Sequence, residues 1–256
     1  MKIAVCVKHA VDESELRADP SGKPILQGAA SKVSTFDKNA AEEALRMKAK
    51  SGGEVVIVCV GPAEAKKTIR EALAMGADKA VHVVSDASGR DSLATSYLLW
   101  KALAKSGPFD AVLCAEGSSD TYEGQVPPML AEWMALPYAG YASKIELSGS
   151  VAKVEQSLED SSQTLELTVP FVASVVSEIN EPRYPTLIQI MQASKKPMEE
   201  LTPQQLSGPD APTSLSRVLD TRVQSMNRKK VVFEGAPEET ATKLLDALKA
   251  EGVIGA

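Results

Sequence analysis

The chain has 256 residues, 44% of them apolar and 24% charged, with a formal charge of −6. That length admits one large α/β domain with an appendage, or two small domains, and the net negative charge argues against general nucleic-acid binding, which needs a positive field to hold phosphates. No apolar run approaches the roughly 20 residues needed to span a bilayer, and Met1-Lys2-Ile3-Ala4-Val5-Cys6-Val7 runs straight into charged sequence, unlike a secretory leader; a cytoplasmic protein that does not span a membrane is expected.

Taken in chain order, residues 2–7, 54–60, 79–84 and 111–115 are short, β-branched and almost wholly apolar, as strands buried on both faces should be. Helical patterns lie between them. Residues 37–50 place Ala40, Ala44 and Met47 on one face, 63–75 follow Gly61-Pro62 and close at Gly76, and 91–105 close near Gly107-Pro108. Such alternation predicts an α/β fold with an open, mainly parallel, Rossmann-like sheet and right-handed crossovers. Pro127-Pro128 introduces a further helix, 129–134, since proline suits a first helical turn. After Pro137, the β-like runs 143–147, 152–157, 164–169 and 171–176 extend the sheet or form an antiparallel flap.

From about residue 191 the character changes. Residues 194–228 hold Pro197, Pro203, Pro209 and Pro212 with little periodicity, and a last amphipathic helix, 238–251, groups Leu244, Leu245 and Leu248. The expected organisation is an α/β domain over 1–190 and a C-terminal arm over 191–256. An arm ending in an apolar helix has no core of its own, so it is expected to wrap on a partner.

Cys6, Cys59 and Cys114 sit in or at the end of apolar runs without a CxxC pair, which reads as buried thiols. No metal site is expected, because His9 and His82 lie at no ligand spacing and His82 falls within a strand-like run. In open parallel sheets ligands bind beyond the carboxyl ends of the strands. Three segments leave such ends: Val7-Lys8-His9, Val60-Gly61-Pro62, and residues 116–125, rich in Gly and Ser and leading into the proline-started helix. Free N–H groups around Gly124–Val126, with a second turn at Gly117, Ser118 and Ser119, suit a phosphate; an ordinary polar loop accounts for the same residues. GxGxxG, Walker, HExxH and Ser/His/Asp patterns are missing, and Ser51-Gly52-Gly53 reads as a helix-ending turn. No residue is assigned a catalytic role.

Asn180-Glu181-Pro182-Arg183-Tyr184-Pro185-Thr186-Leu187, continuing through Ile190-Met191 to Lys195-Lys196, resembles the signature of electron-transfer flavoprotein beta subunits. The ALAMGAD run at 72–78, the Gly61-Pro62 turn, Val5-Cys6-Val7-Lys8 and Ala41-Glu42-Glu43-Ala44-Leu45 agree with it, so the resemblance spans nearly the whole chain. It implies a heterodimer with an alpha subunit that mainly holds a redox FAD, taking electrons from a dehydrogenase, of the acyl-CoA type, and passing them to a quinone oxidoreductase. It further implies an adenine nucleotide, AMP, in this chain, held by Cys6 and Lys8, Ser34, Val60 and Gly61, and Ser118, Asp120, Gly124, Gln125 and Val126, with Cys6 and Val60 acting through backbone. Tyr184, Leu187, Ile190, Met191 and Lys195 would bind the dehydrogenase, Leu187 filling an apolar pocket.

The chain departs from the family's DGDTxQVGP and DDDxNQTG forms at 120–128, carries Gln156 where E-R-E is common, and has Gln192 and Ser194 in a stretch otherwise rich in lysine. Lack of the DGDT form leans towards AMP. The alternatives are an electron-bifurcating subunit whose second FAD oxidises NADH and, from another class, an independent ATP-binding hydrolase or stress-type protein.

Overall fold

The structure, a computed structural model, describes residues 1–86, 89–208, 211–223 and 229–255. The chain begins with β1 (Lys2–Cys6), β2 (His9–Val11), β3 (Arg17–Ala18), β4 (Pro24–Ile25), β5 (Ser31–Val33), α1 (Thr35–Ser51), β6 (Glu54–Gly61), α2 (Ala65–Ala74) and β7 (Lys79–Val84). Next come α3 (Ser92–Ser106), β8 (Ala111–Ala115), α4 (Val126–Met134), β9 (Tyr138–Ser148), β10 (Val151–Ser157), β11 (Ser162–Thr168) and β12 (Phe171–Val175). A 3-10 turn at Ser177–Ile179 leads to α5 (Leu187–Ala193), β13 (Met198–Leu201), α6 (Pro203–Leu206) and α7 (Pro237–Ala250).

One sheet of nine strands runs in the order β11-β10-β9-β12-β8-β1-β6-β7-β13. Neighbours from β9 to β13 are parallel, while β10 and β11 add an antiparallel edge. This is the open, mainly parallel, Rossmann-like sheet that the strand–helix alternation predicts. The central strands are apolar throughout because both faces are covered. Ile3, Val5, Ile57 and Leu113 pack with α1 and α2 on one side. Ala4, Val56, Val58 and Val112 pack with α3 and α4 on the other. The three cysteines are free and buried, as expected.

Several boundaries differ from the sequence reading for identifiable reasons. Helix α4 begins at Val126, so both prolines lie within its first turn rather than ahead of it; their missing N–H groups cost nothing there. Strand β9 opens at Tyr138, well before the expected 143. Tyr141 sits at φ +53, and the pairing of β9 with β12 shifts register over this stretch. Such an irregularity breaks the alternation that marks a strand. Residues 9–33, without a clear pattern, form two small antiparallel pairs, β2 with β5 and β3 with β4.

The sheet also continues beyond residue 190. Met198–Leu201 pairs in parallel with β7, and Leu201 and Leu206 are buried against the α3–α4 side. Four residues are too few to show a period in sequence. Pro209 and residues 224–228, assigned to the irregular arm, lie outside the described residues. Helix α7 forms as expected but buries none of its residues. Among the described residues, no helix is long and apolar enough to cross a membrane.

Leu201 is 1% exposed in the edge strand β13. Leu201→Ala is expected to lower unfolding stability by about 2–5 kcal/mol, read by chemical denaturation; a surface-like effect would show that the start of the arm is not part of the sheet.

Candidate functional site

The chain adds β6 and β7 on one side of β1 and then crosses to place β8 on the other. Strand order therefore reverses between β1 and β8, and the crevice beyond their carboxyl ends is the favoured ligand position in such a sheet. A cavity of about 280 Å³ lies there. Its wall includes Cys6, Val7 and Lys8 from the end of β1, Val60, Gly61 and Pro62 from β6, and Gly117, Ser118 and Gly124–Val126 from the segment after β8. All three strand-end segments singled out in sequence thus converge on one cavity.

Of the residues implied as nucleotide contacts, Cys6, Lys8, Val60, Gly61, Ser118, Gly124, Gln125 and Val126 line this cavity. Ser34 and Asp120 stand behind the wall and shape it. Ser34 starts α1 without capping it; its Oγ instead accepts the N–H of Ser119 at 3.1 Å. Lys8 Nζ donates to Asp120 Oδ1 at 2.7 Å, to Thr121 Oγ1 at 3.1 Å and to Ser118 Oγ at 3.2 Å. With its three protons committed to one loop, Lys8 tethers residues 118–121 to the end of β1. Burial alone would raise the Asp120 pKa, but the bonds from Lys8 and Ser118 hold it below the usual carboxylate value.

The backbone donors at this side of the cavity are set by α4. Its capping residue Gln125 is followed by Val126, Pro127 and Pro128. The prolines have no N–H, so the donors this helix end offers are the amides of Gly124, Gln125 and Val126. Gly124 turns the chain with φ +66, and a Cβ there would lie 3.0 Å from the Glu116 carbonyl. Gly117 is equally constrained, because a Cβ would meet the Tyr122 ring at 2.7 Å. That ring packs edge-on against Phe36 of α1.

Some of the cavity wall was not singled out in sequence: Asp37, Arg90, Asp91, Ser92 and Thr95 contribute, beside Glu123 of the 116–125 segment. Asp37 Oδ2 accepts the backbone N–H of Lys8 at 2.7 Å. Burial pushes its pKa up to about 7, against smaller lowering effects from Lys8. Arg90 has an Nε that is buried without a hydrogen-bond partner. Asp91 caps α3 through Ala94 N–H at 3.0 Å and also accepts Leu215 N–H at 2.7 Å, pinning the arm beside the cavity. Ser92 Oγ donates to Glu123 Oε2 at 2.7 Å, closing the 116–125 loop onto α3. The start of α3 lies at the same carboxyl edge as the other segments, and that placement was the available signal.

Away from the cavity, α5 carries the segment implied in partner binding. Thr186 and Gln189 form a reciprocal capping box at its start, which makes the segment a short helix. Tyr184 is 91% and Leu187 73% exposed; Ile190, Met191 and Lys195 are exposed too. Leu187 is therefore no core residue. Gln156, at the position where the resembled pattern carries arginine, is buried and bonded to the Gly140 carbonyl and to Gln163.

Because the Asp37 pKa is raised on folding, the buried carboxyl favours the folded state at pH below its ordinary value of about 4, and that contribution is lost as pH rises to about 7. Asp37→Asn keeps an acceptor for Lys8 N–H and removes the ionisation. Its unfolding temperature should gain on that of the unsubstituted protein across this range; a parallel pH dependence of the two proteins would contradict the assignment.

Comparison with known proteins shows the family. The family model described as the electron transfer flavoprotein domain matches residues 25–206. The electron transfer flavoprotein subunit beta of Thermoanaerobacterium thermosaccharolyticum is 35% identical over 261 residues, covering 99% of this chain and 100% of that protein. The human protein of the same description is 34% identical over 260 residues, with 99% of each chain covered. The caffeyl-CoA reductase-Etf complex subunit CarD of Acetobacterium woodii is 35% identical over 202 residues, or 77% of each. With a matching model over most of its length and full-length relatives at this identity, the chain belongs to the electron transfer flavoprotein beta subunit family.

Proposed function

We propose that this chain pairs with an alpha subunit as a cytoplasmic electron carrier and holds AMP in the cavity at the β1/β8 switch point. The FAD, held mainly by the alpha subunit, accepts electrons from an acyl-CoA-type dehydrogenase and delivers them to a quinone oxidoreductase. The chain's own residues bind and orient. The observation that carries this reading is the convergence of three strand-end segments on one cavity, with the amides of Gly124–Val126 along its wall. A nucleotide there would set its phosphate against those amides, where the aligned dipoles of α4 favour negative charge.

The fit has two further supports. Gly117 and Gly124 leave no room for a side chain where the loop is packed most closely. At about 280 Å³ the cavity lies near the low end of the usual range for small-molecule sites, which suits a mononucleotide better than a whole flavin dinucleotide. Glu123 and Asp37 add acidic groups to the wall, and Asp37 meets an approaching phosphate most favourably when protonated. The bare apolar faces of the arm fit an alpha partner: Leu215 and Leu219 are exposed and α7 buries nothing. The dehydrogenase would dock on α5 and its flanks, with Leu187 as the aliphatic anchor, in the manner of a hot spot.

The similarity to CarD, whose name places it in a caffeyl-CoA reductase-Etf complex, favours a second reading, in which this subunit holds a second FAD that oxidises NADH. Nucleotide counting separates the two. When the purified heterodimer is denatured, one FAD and one AMP should be released per complex; two FAD without AMP would replace the proposal by the second reading. Gly124→Ala should lower AMP retention while leaving the alpha-held FAD in place, because both its φ and the Glu116 carbonyl oppose a Cβ. AMP retention unchanged by this substitution would move the nucleotide away from that loop.

A further inference from the structure

Helix α5 exposes most of its residues, with Ala193 buried in the core at its end, and the chain on both sides of it is fixed. Downstream, Lys196 Nζ donates to the carbonyls of Ala77 at 2.6 Å and Leu73 at 2.9 Å, closing the end of α2. Upstream, α1 reaches across to residues 177–183. Asn39 Nδ2 donates to the carbonyls of Asn180 at 2.8 Å and Ser177 at 2.9 Å. Asn180 Nδ2 returns bonds to the Asn39 carbonyl at 3.1 Å and the Glu43 carboxylate at 3.2 Å.

The centre of this contact is Glu42. Its Oε2 accepts Arg183 Nε at 2.7 Å and the Arg183 backbone N–H at 3.3 Å. Its Oε1 accepts Arg46 Nε at 2.9 Å and the second nitrogen of the Arg183 fork at 3.1 Å. Glu42 is 4% exposed. A carboxylate buried so deeply on a helix is costly unless its oxygens are fully paired. Paired bonds from one guanidinium add direction as well as strength. Burial would raise the Glu42 pKa, but the bonds from Arg183 and Arg46 keep it below the ordinary value, so the carboxylate stays charged.

The connection from Arg183 to Leu187 is only Tyr184-Pro185-Thr186. Pro185 locks its own φ, and Thr186 is fixed by the capping box. An orientation set at Arg183 therefore reaches α5 with little slack. We propose that Glu42 is the positioning residue for the docking segment: through its fork with Arg183 it presents Leu187, Ile190 and Met191 to the dehydrogenase in one orientation. This rests on the reading of α5 and its flanks as the docking surface. Buried beneath the segment, Glu42 acts through Arg183 and not by touching the partner. Loss of the fork leaves the start of α5, with Leu187, to be ordered at the moment of binding, so affinity falls while electron transfer within the complex does not.

The test uses the complete heterodimer as electron acceptor for an acyl-CoA dehydrogenase reduced by its acyl-CoA substrate. Glu42→Gln and Arg183→Lys should each raise the KM for dehydrogenase about tenfold, the range of a lost charged hydrogen bond, with kcat and FAD content unchanged. Glu42→Asp, which keeps the charge, should restore part of the loss. Leu187→Ala tests the docking surface itself and should raise KM at least as far. An elevated KM in Leu187→Ala with unsubstituted values in Glu42→Gln and Arg183→Lys overturns the positioning role and leaves the docking surface standing. An unchanged KM in Leu187→Ala overturns the docking surface instead. The clamp is then judged by amide exchange across 187–193, where rates unchanged in Glu42→Gln overturn it. Loss of FAD and kcat together in both clamp variants would make Glu42 a general structural residue and also overturn it. If Glu42→Gln fails to fold, Arg183→Lys carries the same comparison.

Discussion

Helix α1 carries four buried polar side chains, Asp37 in its first turn and Asn39, Glu42 and Glu43 along one face, and the rest of the molecule is arranged to satisfy them. Each would destabilise the fold if left unpaired, and none of their bonds runs back into the sheet's core. Asp37 takes the N–H of Lys8 at the end of β1. Asn39 and Glu43 engage Asn180, and Glu42 engages Arg183. Ala40, Ala44 and Met47, which follow Asp37 at i+3, i+7 and i+10 on its face of the helix, pack on the sheet. One element therefore fixes the floor of the cavity at its first turn and the base of the exposed segment over the following turns.

The cavity owes its place to topology and its shape to a few local devices. The order of strands opens a crevice between β1 and β8. Lys8 then draws the 118–121 loop to β1, Ser34 takes an amide from the same loop, and Glu123 ties its far end to Ser92 on α3. Two prolines early in α4 remove N–H groups that would otherwise compete, which concentrates the donors on Gly124–Val126. Polar side chains here are largely occupied in building the wall, and backbone amides are left to face a ligand.

Much of this was legible in the sequence. The buried parallel strands announce themselves as β-branched runs; 79–84 and 111–115 agree with β7 and β8 to the residue. The three strand-end segments were identifiable because topology alone says where ligands go in such a sheet. Elements without a period were hidden: β13 is too short, β9 is interrupted at Tyr141, and residues 9–33 pair only in fragments. Asp37 and Glu42 were hidden for another reason. On a helix an acidic residue reads as solvated, and only the third dimension shows Lys8 and Arg183 meeting it. The short helix α5 was legible at its start, since Thr186-Leu187-Ile188-Gln189 carries the capping-box spacing, but seven residues are too few to show a helical period.

The central claim is that a nucleotide sits at the β1/β8 switch point with its phosphate on the amides of residues 124–126. A crystal structure of the heterodimer, purified without added nucleotide, tests it most directly. The account predicts adenine-nucleotide density in the cavity between Val60-Gly61 and the 117–126 loop, with phosphate oxygens at hydrogen-bonding distance from Gly124, Gln125 or Val126 N–H. An empty cavity, or a nucleotide bound elsewhere on this chain, would contradict it.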